Sequence, residues 1–183
     1  MIRNGFTLID CLVSLLIIAT LASLGTPHLT EIFEKRKADS ISRFLLHSLL
    51  FARSSAVSLK ENIIICGSEN GSQCSLKWSH SIIIFSDKNK NKKPELDEII
   101  NQNPVNINNF TILTKVSFGL PYVKINSEGN SSQLGSFIVC PHEERPKSIR
   151  RITWNRAGRA YYGADTDKDG IINATDGGKL YCT

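Results

Sequence analysis

The sequence predicts an α+β protein, with one long N-terminal helix packed on an antiparallel β-sheet head. Three observations carry that prediction. An apolar stretch near the N-terminus runs without a break into a segment patterned at helical spacing. Six short β-like runs come after it, each bounded by turn-forming or charged residues. The 183 residues are 41% hydrophobic and 21% charged. That composition is globular and leaves room for one domain with an appendage, not for several membrane spans.

The helix comes first. From Cys11 to Thr30 there is no Asp, Glu, Lys or Arg. At about 1.5 Å per residue this run covers most of a ~30 Å hydrocarbon core. Arg3 and the initial amine lie on one side of it, and Glu31, Glu34, Lys35, Arg36 and Lys37 on the other. Positive charge at the short end holds that end in the cytoplasm. Two readings compete: a secretory signal cut after a small residue such as Ala22, or a helix that is kept. Asp10 favours the second, because a carboxylate at mid-bilayer costs about 2.5–3.5 kcal/mol and a disposable signal gains nothing from it. The patterning also continues beyond residue 30, with Ile32, Phe33, Ile41, Leu45, Leu49 and Ala52 at three- to four-residue steps and some gaps. The expectation is one helix, membrane-spanning over residues 6–29, bent at Gly25 and Pro27, and amphipathic over 30–58. Leu45, Leu46, Leu49, Leu50 and Ala52 would face the head, with Asn62 and Gly67 marking the helix end and a turn.

The head, residues 59–183, contains the β-like runs 63–66, 81–85, 110–113, 122–125, 136–140 and 151–154. One helix succeeded by strands implies a helix laid on an antiparallel sheet. Five cysteines leave at least one without an intrachain partner. A head outside the cytoplasm permits disulfides. Cys66 and Cys74 flank a Gly-containing turn and are read as a local bridge. Cys140 ends a strand, and a bond to Cys182 would tie down the C-terminus. Cys11 lies in the apolar run and reads as a small apolar residue there.

The N-terminal residues Gly5-Phe6-Thr7-Leu8-Ile9-Asp10, with Pro27, resemble the class III signal of type IV pilins and type II secretion pseudopilins. The resemblance implies that a prepilin peptidase removes residues 1–5, cutting between Gly5 and Phe6 and methylating the new Phe6 amine. It implies that Pro27 is the helix-bending proline. It also implies that the carboxylate at position 10 attracts the amine of a neighbouring subunit. Asp10 stands where the family carries Glu, one methylene shorter. Further along, Cys66-Gly67-Ser68, Cys74, Trp78, Phe85-Ser86-Asp87, Asn89 and Asn91 resemble the head of the GspH/FimT/FimU branch of minor pilins and pseudopilins. This second resemblance implies a pilin-like fold and a single-pass inner-membrane protein with a cytoplasmic N-terminus and a periplasmic head. Such a subunit would assemble with other pilins, at initiation or at the tip, into a type IV pilus or a type II secretion pseudopilus.

Near the C-terminus, residues 165–176 place Asp165, Asp167, Asp169, Asn173 and Asp176 at loop positions one, three, five, nine and twelve, with Gly170 at the sixth. Ile171 offers a carbonyl at the seventh. Hard cations take six or more oxygens in such a loop. The twelve residues resemble EF-hand-like loops, closest to the dockerin version that also ends in Asp, and imply a structural calcium ion. The alternative is a solvated Asp/Gly turn. Asp87, Asn89, Asn91, Glu95 and Glu98 have similar spacing, but Lys92 stands at the sixth position and three more lysines surround it. That segment reads as a polar hairpin.

From Arg145 to Arg159 there are six basic residues and no acidic one, with Trp154 between them and Tyr161 and Tyr162 beyond. Arginines beside planar side chains suit phosphates and exposed bases. Asn155-Arg156-Ala157-Gly158-Arg159-Ala160-Tyr161 partly resembles the C-terminal Gly-Arg-x-Arg motif of the FimT branch, which is linked to DNA uptake. Arg150, Arg151, Arg156 and Arg159 are therefore candidate DNA contacts; the alternative is a solvated strand face or a contact with an acidic neighbour. No nucleophile elbow, Walker loop or dinucleotide fingerprint occurs, and the four histidines are scattered, so no enzyme is expected.

Overall fold

The computed structural model describes residues 7–78, 80–105, 107–143, 145–174 and 177–182, apart from the side chains of 24–28. Helix α1 runs Leu8–Leu59 as one element of 52 residues. Thr7 caps it through a capping box with Asp10: the Thr7 N–H donates to Asp10 Oδ2 at 3.0 Å and the Thr7 hydroxyl donates to the same oxygen at 2.6 Å. It ends at Lys60, whose φ of 57° puts the chain in the left-handed region that closes a helix.

Among the described residues eight strands come next: β1 Ile63–Ser68, β2 Ser81–Ser86, β3 Ile99–Pro104, β4 Phe110–Val116, β5 Tyr122–Ile125, β6 Gly135–Pro141, β7 Arg150–Trp154 and β8 Ala160–Tyr162. They form two antiparallel sheets, in the orders β3-β2-β1-β5 and β4-β6-β7-β8. All six β-like runs fall within these strands. β3 and β8 have no counterpart among the runs. β3 reads Ile-Ile-Asn-Gln-Asn-Pro on an edge and lacks apolar alternation, and β8 is three residues long. Gly67 lies inside β1 and not in a turn, and it is a glycine there because a Cβ would come within 2.7 Å of Trp78.

The core lies between the second half of α1 and the inner faces of both sheets. Ala38, Ile41, Leu45, Leu49, Ala52 and Ala56 pack on Ile63, Ile65, Ile82, Ile84, Phe137, Val139, Ile152 and Trp154. Leu46 is only partly buried, and Leu50 points to solvent. Successive strand residues face opposite ways. The unbroken runs Ile63-Ile64-Ile65-Cys66 and Ile82-Ile83-Ile84-Phe85 therefore need cover on the outer face too. Ile64, Cys66, Ile83, Phe85 and Tyr122 form that outer cluster, with Cys74 packed against it. The second sheet is covered outside by Ile149 and Leu180, with Ile172 and Ala174 against them. Leu180 is held on that face by its N–H, which donates to the Ile172 carbonyl at 3.2 Å, and beyond it Cys182 is bonded to Cys140, with Cα atoms 5.8 Å apart. The Cys66–Cys74 bridge, 5.4 Å between Cα atoms, fastens the loop over the first outer cluster.

Candidate functional site

Among the described residues, the first half of α1 is bare. Leu8, Ile9, Leu12, Val13, Leu15, Leu16, Ile17, Ile18 and Leu21 are all more than half exposed, as are Leu29, Ile32 and Phe33. A contiguous apolar surface of this size marks a face that other molecules cover. Asp10 and the free Cys11 lie on it. Gly5 and Phe6 lie outside the described residues, as do the side chains of Gly25, Pro27 and His28. Among the described residues no helix is long and apolar enough to cross a membrane.

Among the described residues, two ion pairs join the helix to the head. Arg145 reaches Glu34 at 3.2 Å, with Glu143 beside it, and the Arg150 Nε–H donates to Asp39 at 2.6 Å. These contacts separate the four candidate DNA arginines. Arg150 and Arg151 sit at the start of β7, with Arg150 already paired to Asp39 of the helix. Arg156 and Arg159 sit beyond its other end, exposed on the β7–β8 turn. That turn needs Gly158: its φ is +68°, and a Cβ would lie 2.0 Å from the Gly129 carbonyl oxygen, which accepts from Arg53 Nε–H at 3.1 Å. Trp154 cannot stack on a base. It is 2% exposed, donates through Nε1 to the Gln133 carbonyl at 3.0 Å and packs on Phe137. Tyr161 and Tyr162 remain about half exposed.

The loop after β8 gathers Asp165, Asp167 and Asp169, with one carboxylate oxygen of each within 4.8 Å of the others. Asp165 Oδ2 accepts from the Gly170 N–H at 2.9 Å, and Asp169 Oδ1 from the Ile171 N–H at 2.8 Å. Lys179 Nζ lies 2.8 Å from Asp169 Oδ2. The Lys179 ammonium, and then the Ile171 N–H, hold the Asp169 carboxyl below its ordinary range; the same pairing raises Lys179. Asn173 turns its amide oxygen to the Thr166 N–H and hydroxyl. Asp176 lies outside the described residues.

His80 and His142 line one open groove of about 1330 Å³ with Leu76, Trp78, Phe110 and Ile112. No carboxylate lies among its described lining residues.

Two solved structures share this architecture. The type IV minor pilin FimU of Pseudomonas aeruginosa aligns at 16% identity over 73% of this chain and 92% of its own, with a TM-score of 0.52. The minor pseudopilin EpsH of the Vibrio cholerae type 2 secretion system aligns at 14% identity over 71% and 98%, with a TM-score of 0.51. No curated protein matches in sequence. Residues 43–158, well over half of the chain, match the family described as Type II transport protein GspH. That match starts on the buried half of α1 and ends in the β7–β8 turn, so the chain belongs to the GspH family of pilin-like proteins.

Proposed function

We propose that this chain is a minor pilin or pseudopilin that serves at the initiation or tip of a filament. Prepilin peptidase removes residues 1–5, Phe6 becomes the methylated N-terminus, and the apolar half of α1 anchors the protein in the inner membrane. On assembly that half leaves lipid for the helices of neighbouring pilins. The supporting observation is a helix whose second half is locked into the head while the first half leaves its leucines and isoleucines bare. Asp10 caps its own helix before assembly; in the filament it would exchange Thr7 for a neighbour's amine, a pair strengthened by low dielectric. The test is incorporation. Chains with Leu16→Glu or Asp10→Ala, expressed with the other subunits, should disappear from the sheared filament fraction while their heads stay folded. Undiminished recovery of both would reject the reading.

The exposed turn carrying Arg156 and Arg159 supports a second role as a DNA receptor. Neither arginine has an ion pair among the described residues. Phosphate contacts there would be sequence-independent and salt-sensitive. A gel shift abolished by Arg156→Ala with Arg159→Ala supports this role, and none at low salt removes it.

Calcium at Asp165, Asp167 and Asp169 would have a structural part, ordering the segment that delivers Leu180 and Cys182 to the second sheet. The convergence of three carboxylates supports it, and the ion would displace Lys179 from Asp169. Chelator should then lower the melting temperature of the wild-type chain by more than it lowers that of Asp167→Asn.

A further inference from the structure

The β2–β3 connection contains two carboxylates that solvent does not reach. Asp87 is 2% exposed and Glu98 is 4% exposed. Each uses one oxygen inside the loop. Asp87 Oδ1 accepts from the Lys92 N–H at 2.9 Å, and Glu98 Oε1 accepts from the Lys88 N–H at 3.0 Å. The other oxygen of each, Asp87 Oδ2 and Glu98 Oε2, is buried without a hydrogen-bond partner among the described residues. A buried carboxylate left half-satisfied is costly, and a pair of them in one loop asks for a cation.

The backbone around them is the one adopted by the Asp165 loop. Both loops have a left-handed residue at position four, Lys90 (φ 61°) and Lys168 (φ 60°), and another at position six, Lys92 (φ 62°) and Gly170 (φ 87°). In both, the sixth N–H donates to the first carboxylate. In both, the seventh N–H donates to the side chain at position five: Lys93 to Asn91 at 2.7 Å and Ile171 to Asp169 at 2.8 Å. The lysines that argue against a cation in the sequence, Lys88, Lys90, Lys92 and Lys93, are all exposed. Lys88 leans out toward Glu61. Their charges are solvated, whereas the carboxylates point inward.

We propose that residues 87–98 bind a calcium ion between the carboxylates of Asp87 and Glu98. Asn89, Asn91 and Glu95 add side-chain oxygens, and Lys93 its carbonyl, giving the six or more oxygens that calcium takes in a flexible loop. Magnesium demands a tighter octahedron and fits such a loop less well. The ion would fix the hairpin at the end of the first sheet, independently of the Asp165 loop and of how the protein assembles.

The experiment is a calorimetric calcium titration of the full chain in detergent micelles. Asp165→Asn, Asp167→Asn and Asp169→Asn together remove the other loop. That triple variant should retain one equivalent of calcium, and adding Glu98→Gln should weaken its binding by about tenfold or more. Absence of binding in the triple variant, or binding unchanged by Glu98→Gln, overturns the proposal and leaves water on the two oxygens. If Glu98→Gln fails to fold, hydrogen exchange on the triple variant decides: calcium should slow the amides of residues 88–98, and equal rates with calcium and with chelator overturn it.

Discussion

The two halves of α1 are built from similar residues and meet opposite fates. Leu45 and Leu49 are 0% and 4% exposed; Leu15 and Leu16, nearer the N-terminus, are 63% and 68% exposed. The buried half alternates leucine and isoleucine with alanine and charged residues, so it presents one apolar stripe to one head. The exposed half is apolar around its whole circumference, which suits a surrounding of lipid or several helices and no single face. Residues 38–56 therefore set the head's stability, while the apolar side chains described in the first half of α1 take no part in its core.

One substitution made in each half should separate them most strongly. Leu45→Ala should destabilise the head by about 2–5 kcal/mol, the cost of a cavity in a packed core. Leu16→Ala should leave its thermal unfolding unchanged. A comparable loss in both would mean that the first half also folds onto the head.

Next in size is the C-terminal fastening. Replacing Cys140 and Cys182 by Ser releases a bridge that spans 42 residues and should cost about 2–4 kcal/mol. The loss is measurable by denaturant unfolding with and without reductant. Leu180 should become more accessible in the same variant, because that bond fastens the chain just beyond it.

A smaller effect belongs to the seam between helix and head. The Arg150–Asp39 pair is partly exposed, at 21% and 37% of its side chains. Asp39→Ala should therefore cost no more than about 1 kcal/mol. A larger loss would show that the seam, and not the apolar stripe, sets the register of α1.

The smallest effect is a pH dependence. Asp169 has a lowered carboxyl in the folded chain, because Lys179 and the Ile171 N–H favour its charged form. Its contribution is present above the ordinary Asp range and is lost as pH falls through the folded value. Melting curves between neutral and strongly acid pH should fall less steeply for Lys179→Met than for the wild type. Identical slopes would mean that the pair has no energetic weight.

Much of the fold is legible in the sequence because its signals are local. The apolar run, its helical continuation through Leu45, Leu49 and Ala52, and six strands bounded by turn residues stand in the sequence itself. Where tertiary context decides, the sequence misleads. Gly67 reads as a turn but lies in β1 against Trp78. Trp154 reads as a partner for bases but is enclosed beside Phe137. β3 is held by pairing with β2 and carries no pattern of its own. The Asp165 loop is visible from spacing. In the Asp87 loop the sequence shows the lysines but does not show that Asp87 and Glu98 are buried.

Whether the apolar half of α1 is kept decides everything else, and sequencing the N-terminus of the protein recovered from cells answers it. The mature chain should begin at Phe6, carry a methyl group on its amine and stay in the membrane fraction. A mature chain that begins beyond Ala22 and leaves the membrane would contradict this, because the bare half of α1 would then be absent from the working protein.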